Sequence, residues 1–214
     1  MTGSGYNTVT AANDLSDLFA PVAGIVVQQP AGNNLTSCVS AVAFGSVPIG
    51  SSATNLFTVT NSGNGTLNLT NVVFTGANAG DFTVKSITFP ATVAPSASTT
   101  FKVVFSPASS GARSATLQVT NNDSSHNPFT VALTGTGLAA PVLVGGQIQG
   151  NGAFQLTFSG PVNQTYHVLA TYDLTVALTN WTVLGSNTFG SGNAVFTDNG
   201  AINHPDRFYT IKSP

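Results

Sequence analysis

The chain has 214 residues, 42% of them hydrophobic but only 6% charged, and a net charge of −2. A usual soluble domain carries about 25% charged residues, so here Thr, Ser, Asn and Gly must cover the surface. The five cations, Lys85, Lys102, Arg113, Arg207 and Lys212, are too few and scattered to track phosphates, which argues against a nucleic-acid partner.

All seven acids are aspartates, and Cys38 is the single cysteine. An intramolecular disulfide, a Cys-based zinc site and a redox pair are therefore out of reach, and packing must hold the fold. No run of about 18 apolar residues is present, so no membrane insertion is expected. Residues 1–13 lack a basic start and an apolar run, so no signal peptide is visible. A polar but uncharged surface suits an extracellular or particle-surface setting, on a virion or a cell.

Residues 1–23 read as an extended N-terminal arm. Asn13 can cap one helical turn in which Leu15, Leu18 and Phe19 share a face, and Pro21 stops it. Ordering some two dozen residues costs on the order of 20–40 kcal/mol of backbone entropy. Burying Tyr6, Val9, Leu15, Leu18 and Phe19 returns only about 1.5–3 kcal/mol each. An ordered arm therefore needs backbone pairing as well, on its own domain or a neighbour. These five residues are the candidate assembly contacts.

Residues 24–137 read as an immunoglobulin-like β-sandwich. Strands are expected over Val39 to Phe44, Leu56 to Thr60 and Leu67 to Phe74, with a change of phase near Asn71 that predicts a bulge. Phe82-Val84 and Ile87-Phe89 form a further segment. Phe101, Val103 and Phe105 alternate with Thr100, Lys102 and Val104, the period of a strand with one buried face. Lys102 should face solvent. Ala115 to Val119 and Phe129 to Leu133 repeat the alternation, and Thr134-Gly135-Thr136-Gly137 ends it. About seven short strands at this spacing argue for a sandwich.

Residues 138–141 are a linker, and 142–214 read as a smaller β-sandwich of six or so strands. Its strand candidates are Phe154 to Ser159, Tyr166 to Tyr172, Asn180 to Leu184, Ala194 to Thr197 and Phe208 to Ile211. The fold class is thus all-β: two tandem β-sandwich, immunoglobulin-like domains behind an arm.

Two resemblances accompany this reading. Val26 to Gly32, Phe44-Gly45-Ser46-Val47-Pro48-Ile49-Gly50-Ser51, Phe57-Thr58-Val59-Thr60-Asn61-Ser62-Gly63 and Asn127-Pro128-Phe129 running to Gly137 resemble the bacterial choice-of-anchor D modules. Those are relatives of the Hydin-type immunoglobulin-like domains. Phe154 to Gly160, Tyr166 to Ala170, Asn180 to Gly185 and Arg207 to Ile211 are similar to a C-terminal β module of secreted proteins from Verrucomicrobia-like bacteria. Both families imply noncatalytic scaffolds on cell surfaces, without an active site to carry over.

Few residues suggest chemistry. His126, His167 and His204 lie in separate segments without metal-ligand spacing, and no serine sits in a G-x-S-x-G elbow. Without glutamate, and with well-spread aspartates, paired-carboxylate hydrolysis is not expected. Asp198 and Asp206 could offer oxygens to calcium, but a pair between Asp198 and Arg207 is the favoured alternative. An isopeptide bond from Lys85 or Lys102 is disfavoured because Lys102 falls on a polar face. Asn34, Asn64, Asn68, Asn122, Asn163 and Asn180 stand in Asn-x-Ser/Thr sites that mostly reflect composition. Tyr166, Tyr172, Trp181 and Tyr209 form the candidate ligand platform for a sugar, with core packing as the alternative. No catalytic residue, metal or cofactor is assigned.

The sequence points to a non-enzymatic structural protein of a repeating surface assembly, contacting itself or other structural proteins through the arm and its sheet edges. A virion decoration or cement protein and a bacterial sheath or filament subunit are the two settings. An extracellular carbohydrate-binding or adhesion module, with glycans as partners, is the alternative.

Overall fold

A computed structural model describes residues 20–213. The arm residues Tyr6, Val9, Leu15, Leu18 and Phe19 lie outside the described residues. Two compact units divide the described chain: residues 20–44, 53–105 and 113–135 in one, and 45–52, 106–112 and 136–213 in the other. No helix among the described residues is long and apolar enough to cross a membrane.

The first nine strands are β1 (Ile25–Gln28), β2 (Ala41–Pro48), β3 (Ala53–Asn61), β4 (Leu67–Thr75), β5 (Phe82–Lys85), β6 (Ala91–Val93), β7 (Ser98–Phe105), β8 (Gly111–Asn121) and β9 (Phe129–Leu138). They form a four-stranded sheet, β1-β3-β7-β5, and a five-stranded sheet, β2-β9-β8-β4-β6. Alternation along β7 buries Phe101, Val103 and Phe105 fully and leaves Lys102 exposed, as the pattern predicts. Phe101 stands opposite Phe57 of β3, and their rings stack with centroids 5.3 Å apart. Phe44 of β2 joins the sheets, its ring 5.6 Å from Phe82 and 5.8 Å from Phe105.

The expected bulge is present. Pairing of β4 with β8 shifts register between Leu69 and Asn71. Two expectations fail. Ile87-Phe89 forms no strand: Ser86, at φ 65°, turns the chain out of β5, and pairing resumes where Leu67 meets Val93 in β6. The Thr134-Gly135-Thr136-Gly137 run does not end its strand but belongs to β9. Gly135 continues it because a Cβ there would sit 2.4 Å from Phe105 Cε1.

One end of this sandwich is held by buried amides and a carboxylate. Asn61 Nδ2 donates to the Gly65 and Val93 carbonyls at 2.7 and 2.9 Å, and its Oδ1 accepts from the Gly63 and Gly24 N–H groups. The Ile25 N–H donates to Asp123 Oδ2 at 3.0 Å, and the Val22 N–H to Asn64 Oδ1 at 2.7 Å. The chain between 22 and 25 is therefore fixed where the N-terminal segment leaves it.

The second unit contains β10 (Val142–Ile148), β11 (Phe154–Ser159), β12 (Thr165–Thr171), β13 (Thr182–Thr188), β14 (Ala194–Asp198) and β15 (Phe208–Lys212). They pair as two three-stranded sheets, β10-β11-β14 and β13-β12-β15. Leu156, Phe158, Tyr166, Val168 and Phe189 make the core, with Tyr166 ring centroids 4.7 Å from Phe158 and 4.5 Å from Phe189.

Candidate functional site

Among the described residues, β10 is an edge strand paired only with β11. All seven of its residues are exposed, with Val142, Leu143, Val144 and Ile148 between 53% and 78% accessible. Edges in native sheets are normally blunted by charge, proline or shortness. Here β5 ends in Lys85, β15 in Lys212, β14 in Asp198 and β2 in Pro48, β6 has three residues and β1 four, and the edge strand β13, also without charge or proline, is mostly polar, Thr-Val-Leu-Gly-Ser-Asn-Thr. β10 is seven residues of Val-Leu-Val-Gly-Gly-Gln-Ile with neither charge nor proline.

Beside it, an apolar cleft of about 230 Å³ reaches the core. It is lined by Pro141 and Leu143, by Tyr209, Thr210 and Ile211 of β15, and by the core residues Leu156, Phe158 and Val168. The backbone edge of β10 and these core side chains are thus reachable together. An extended apolar segment satisfies both, pairing its main chain while seating alternate side chains.

Sequence reasoning missed β10 because Gly145-Gly146 reads as a turn. In the fold these glycines sit within the strand, at a register shift between Leu143 and Gly145. A Cβ on Gly146 would lie 2.6 Å from the Phe154 ring. The readable signal was Val142-Leu143-Val144 directly before the glycines.

The four aromatic candidates do not converge. Tyr166 is 2% exposed within the core, so its faces are closed to a ligand. Trp181 is half-buried just before β13, its Nε1 donating to the Val176 carbonyl at 3.0 Å. Tyr209 stacks on Phe154 at 5.1 Å. Tyr172 alone projects, 55% exposed, with the Arg207 guanidinium 5.3 Å above its ring and the His204 ring 5.4 Å away.

Asp198 and Arg207 form the expected pair. Burial pushes the Asp198 carboxyl up, but Arg207, the Tyr209 hydroxyl at 2.9 Å and the Gly200 N–H at 2.9 Å outweigh it and hold it below the ordinary carboxylate value. Burial and this carboxylate push the Tyr209 phenol up to about 12. A cleft of about 410 Å³ lies alongside, lined by Ile148, Phe154, Ile202, His204 and Arg207. His126 sits elsewhere, Nδ1 3.1 Å from Asp123 Oδ2, and His167 bonds Ser186. Among the described residues, no three His, Cys, Asp or Glu side chains gather as a metal would require.

Comparison with known proteins bears on the first sandwich. The family model described as ASH: Abnormal spindle-like microcephaly-assoc'd, ASPM-SPD-2-Hydin matches residues 34–128. Among curated proteins, none matches the chain. A protein of unknown function from Porphyromonas gingivalis W83 is similar at 13% identity and TM-score 0.36, covering 53% of this chain and 66% of its own. The ASH / PapD-like domain 7 of human CEP192 is similar at 13% identity and TM-score 0.39, covering 54% of this chain and 86% of its own. The E. coli chaperone DraB is similar at 15% identity and TM-score 0.37, covering 88% of this chain and 98% of its own. The family match, laid on strands β2 to β8, supports a Hydin-type immunoglobulin-like module in the first sandwich.

Proposed function

We propose that this protein is a non-enzymatic structural and interaction protein, a subunit of a repeating surface assembly built from two sandwich modules, 24–137 and 142–214, and an N-terminal arm. The observation that carries this reading is β10, an unblunted apolar edge beside a cleft that opens onto core side chains. The fixed chain at 22–25 gives the arm a firm root. Its partners are other copies or other structural proteins, met through arm and edge. The setting is extracellular, as a virion decoration or cement protein or a bacterial sheath or filament subunit, in keeping with the charge-poor surface.

Sedimentation and negative-stain imaging of the full chain against residues 20–214 test the reading. The full chain is expected to form extended or ring-like oligomers that the shortened chain does not. A full chain that stays monomeric at high micromolar concentration overturns it.

The second reading is a glycan-binding module, favoured by the exposed Tyr172 beside the larger cleft. Glycan-array binding abolished by Tyr172→Ala supports it, and binding that survives the substitution counts against it.

A further inference from the structure

We infer that β10 pairs antiparallel with β10 of a second copy, about a two-fold axis perpendicular to the sheet at the level of the Gly145–Gly146 bond. The pairing rests on the assembly reading above and names one edge through which copies meet. Leu143 stands opposite Phe158 of β11, and Ile148 opposite Phe154. Phe158 is in the core and Phe154 packs against it. Residues directly opposite share a face of the sheet, so Leu143 and Ile148 both face the sandwich interior. There Leu143 lines the cleft of about 230 Å³ and Ile148 the cleft of about 410 Å³, and Tyr209 borders both. Yet the two side chains are 53% and 78% exposed, because no strand lies beyond β10 to cover them. An offset of five residues would put them on opposite faces of a regular strand. The register shift between Leu143 and Gly145 keeps them on one.

A strand that covers both positions must carry two apolar side chains on one face at this same separation. β10 run backwards does so. About the stated axis, Leu143 of each copy lies opposite Ile148 of the other, and the two three-stranded sheets join into one of six strands. The side chains that lack cover are the ones that supply it, as a contact made by one patch on both copies requires. Charge agrees with this. A two-fold sets a strand against its own charges, and like charges facing across strands destabilise a pair. β10 carries none, and neither does its neighbour β11. Side chains beside the axis would meet their own counterparts, and only glycines stand there.

Two experiments on the full chain test this. In the first, in a Cys38→Ser background, Leu143→Cys copies labelled with heavy isotope are mixed with unlabelled Ile148→Cys copies and oxidised. Disulfide-linked pairs of mixed isotope are expected at least tenfold above the pairs that either variant forms alone. Two copies of position 143 lie about 13 Å or more apart along the paired strands at 3.3 Å per residue, beyond the reach of a disulfide. In the second, Val144→Lys is expected to weaken association about tenfold in sedimentation, and adding Gln147→Glu to the same chain to restore most of the loss. The axis sets position 144 of each copy opposite 147 of the other, so opposite charges then face each other twice. Either cysteine variant linking with itself as readily as with the other, or a loss that Gln147→Glu does not restore, overturns the pairing about this axis. Association that gives no mixed cross-link and ignores Val144→Lys overturns β10 as the interface, while leaving the assembly reading standing. A wild-type chain that never associates overturns both.

Discussion

Asp198 and Asp123 each gather several donors on one carboxylate, and this sets how the protein meets acid. Both carboxyls are held below their ordinary value: burial acts against ionisation, but Arg207, Tyr209 and Gly200 at one site, and Ile25, Ser125 and His126 at the other, outweigh it. A carboxylate depressed in the folded state contributes stability that is fully present above the unfolded value of about 3.9 and is lost as pH falls through the folded value. Calorimetry is therefore expected to show a flat unfolding midpoint near neutrality and a steep fall below about pH 4. Asp198→Asn should lower stability at pH 7 by about 2 kcal/mol, the scale of a hydrogen bond to a charged group, and make the acid fall shallower. Gly135→Ala places a methyl group against the Phe105 ring and should cost about 1–3 kcal/mol by denaturant titration, the range for overpacked cores. Residue type alone did not separate the tyrosines. Tyr166 and Tyr172 lie six apart, but β12 stops at Thr171, so one is core and the other projects.

Strands differed in how openly their sequences declared them. β7 was legible because Phe101, Val103 and Phe105 alternate without interruption, and the bulge in β4 because its apolar phase changes at Asn71. β10 was not, since its glycines carry the signature of a turn while serving the close approach of Phe154. The pairing Asp198–Arg207 was readable from opposite charges in one short region. The cleft was not, because Leu143 and Ile211 are far apart in sequence and meet only through topology. Since β10 is exposed along its whole length, Val144→Lys should change stability by less than about 0.5 kcal/mol. The same change puts a charge on the unblunted edge, and light scattering is expected to show a clear loss of association.

At the scale of the whole molecule, an arm and the edge it docks on are different surfaces, so copies can exchange arms reciprocally about a two-fold or pass them on head-to-tail. Head-to-tail contacts close into rings or run on as filaments, according to the rotation between copies. A copy lacking residues 1–19 still offers its edge strands but donates no arm onward. Added at substoichiometric ratio, it is expected to shorten filaments in proportion to its fraction, as measured by electron microscopy. Filament lengths that do not respond would mean that contacts other than the arm hold the copies together.

The anchoring of residues 22–25 has a mechanical consequence. A pull exerted on one copy through its N-terminal segment arrives at Val22 and passes into β1, whose four residues are registered against Thr58 to Asn61 of β3. With the pull directed along the strand, these ladder bonds bear the load side by side and must break together instead of peeling one at a time. Ile25 adds the Asp123 carboxylate as a further brace. An assembly joined in this way would resist stretching at neutral pH and yield sooner in acid, once that carboxylate takes up its proton.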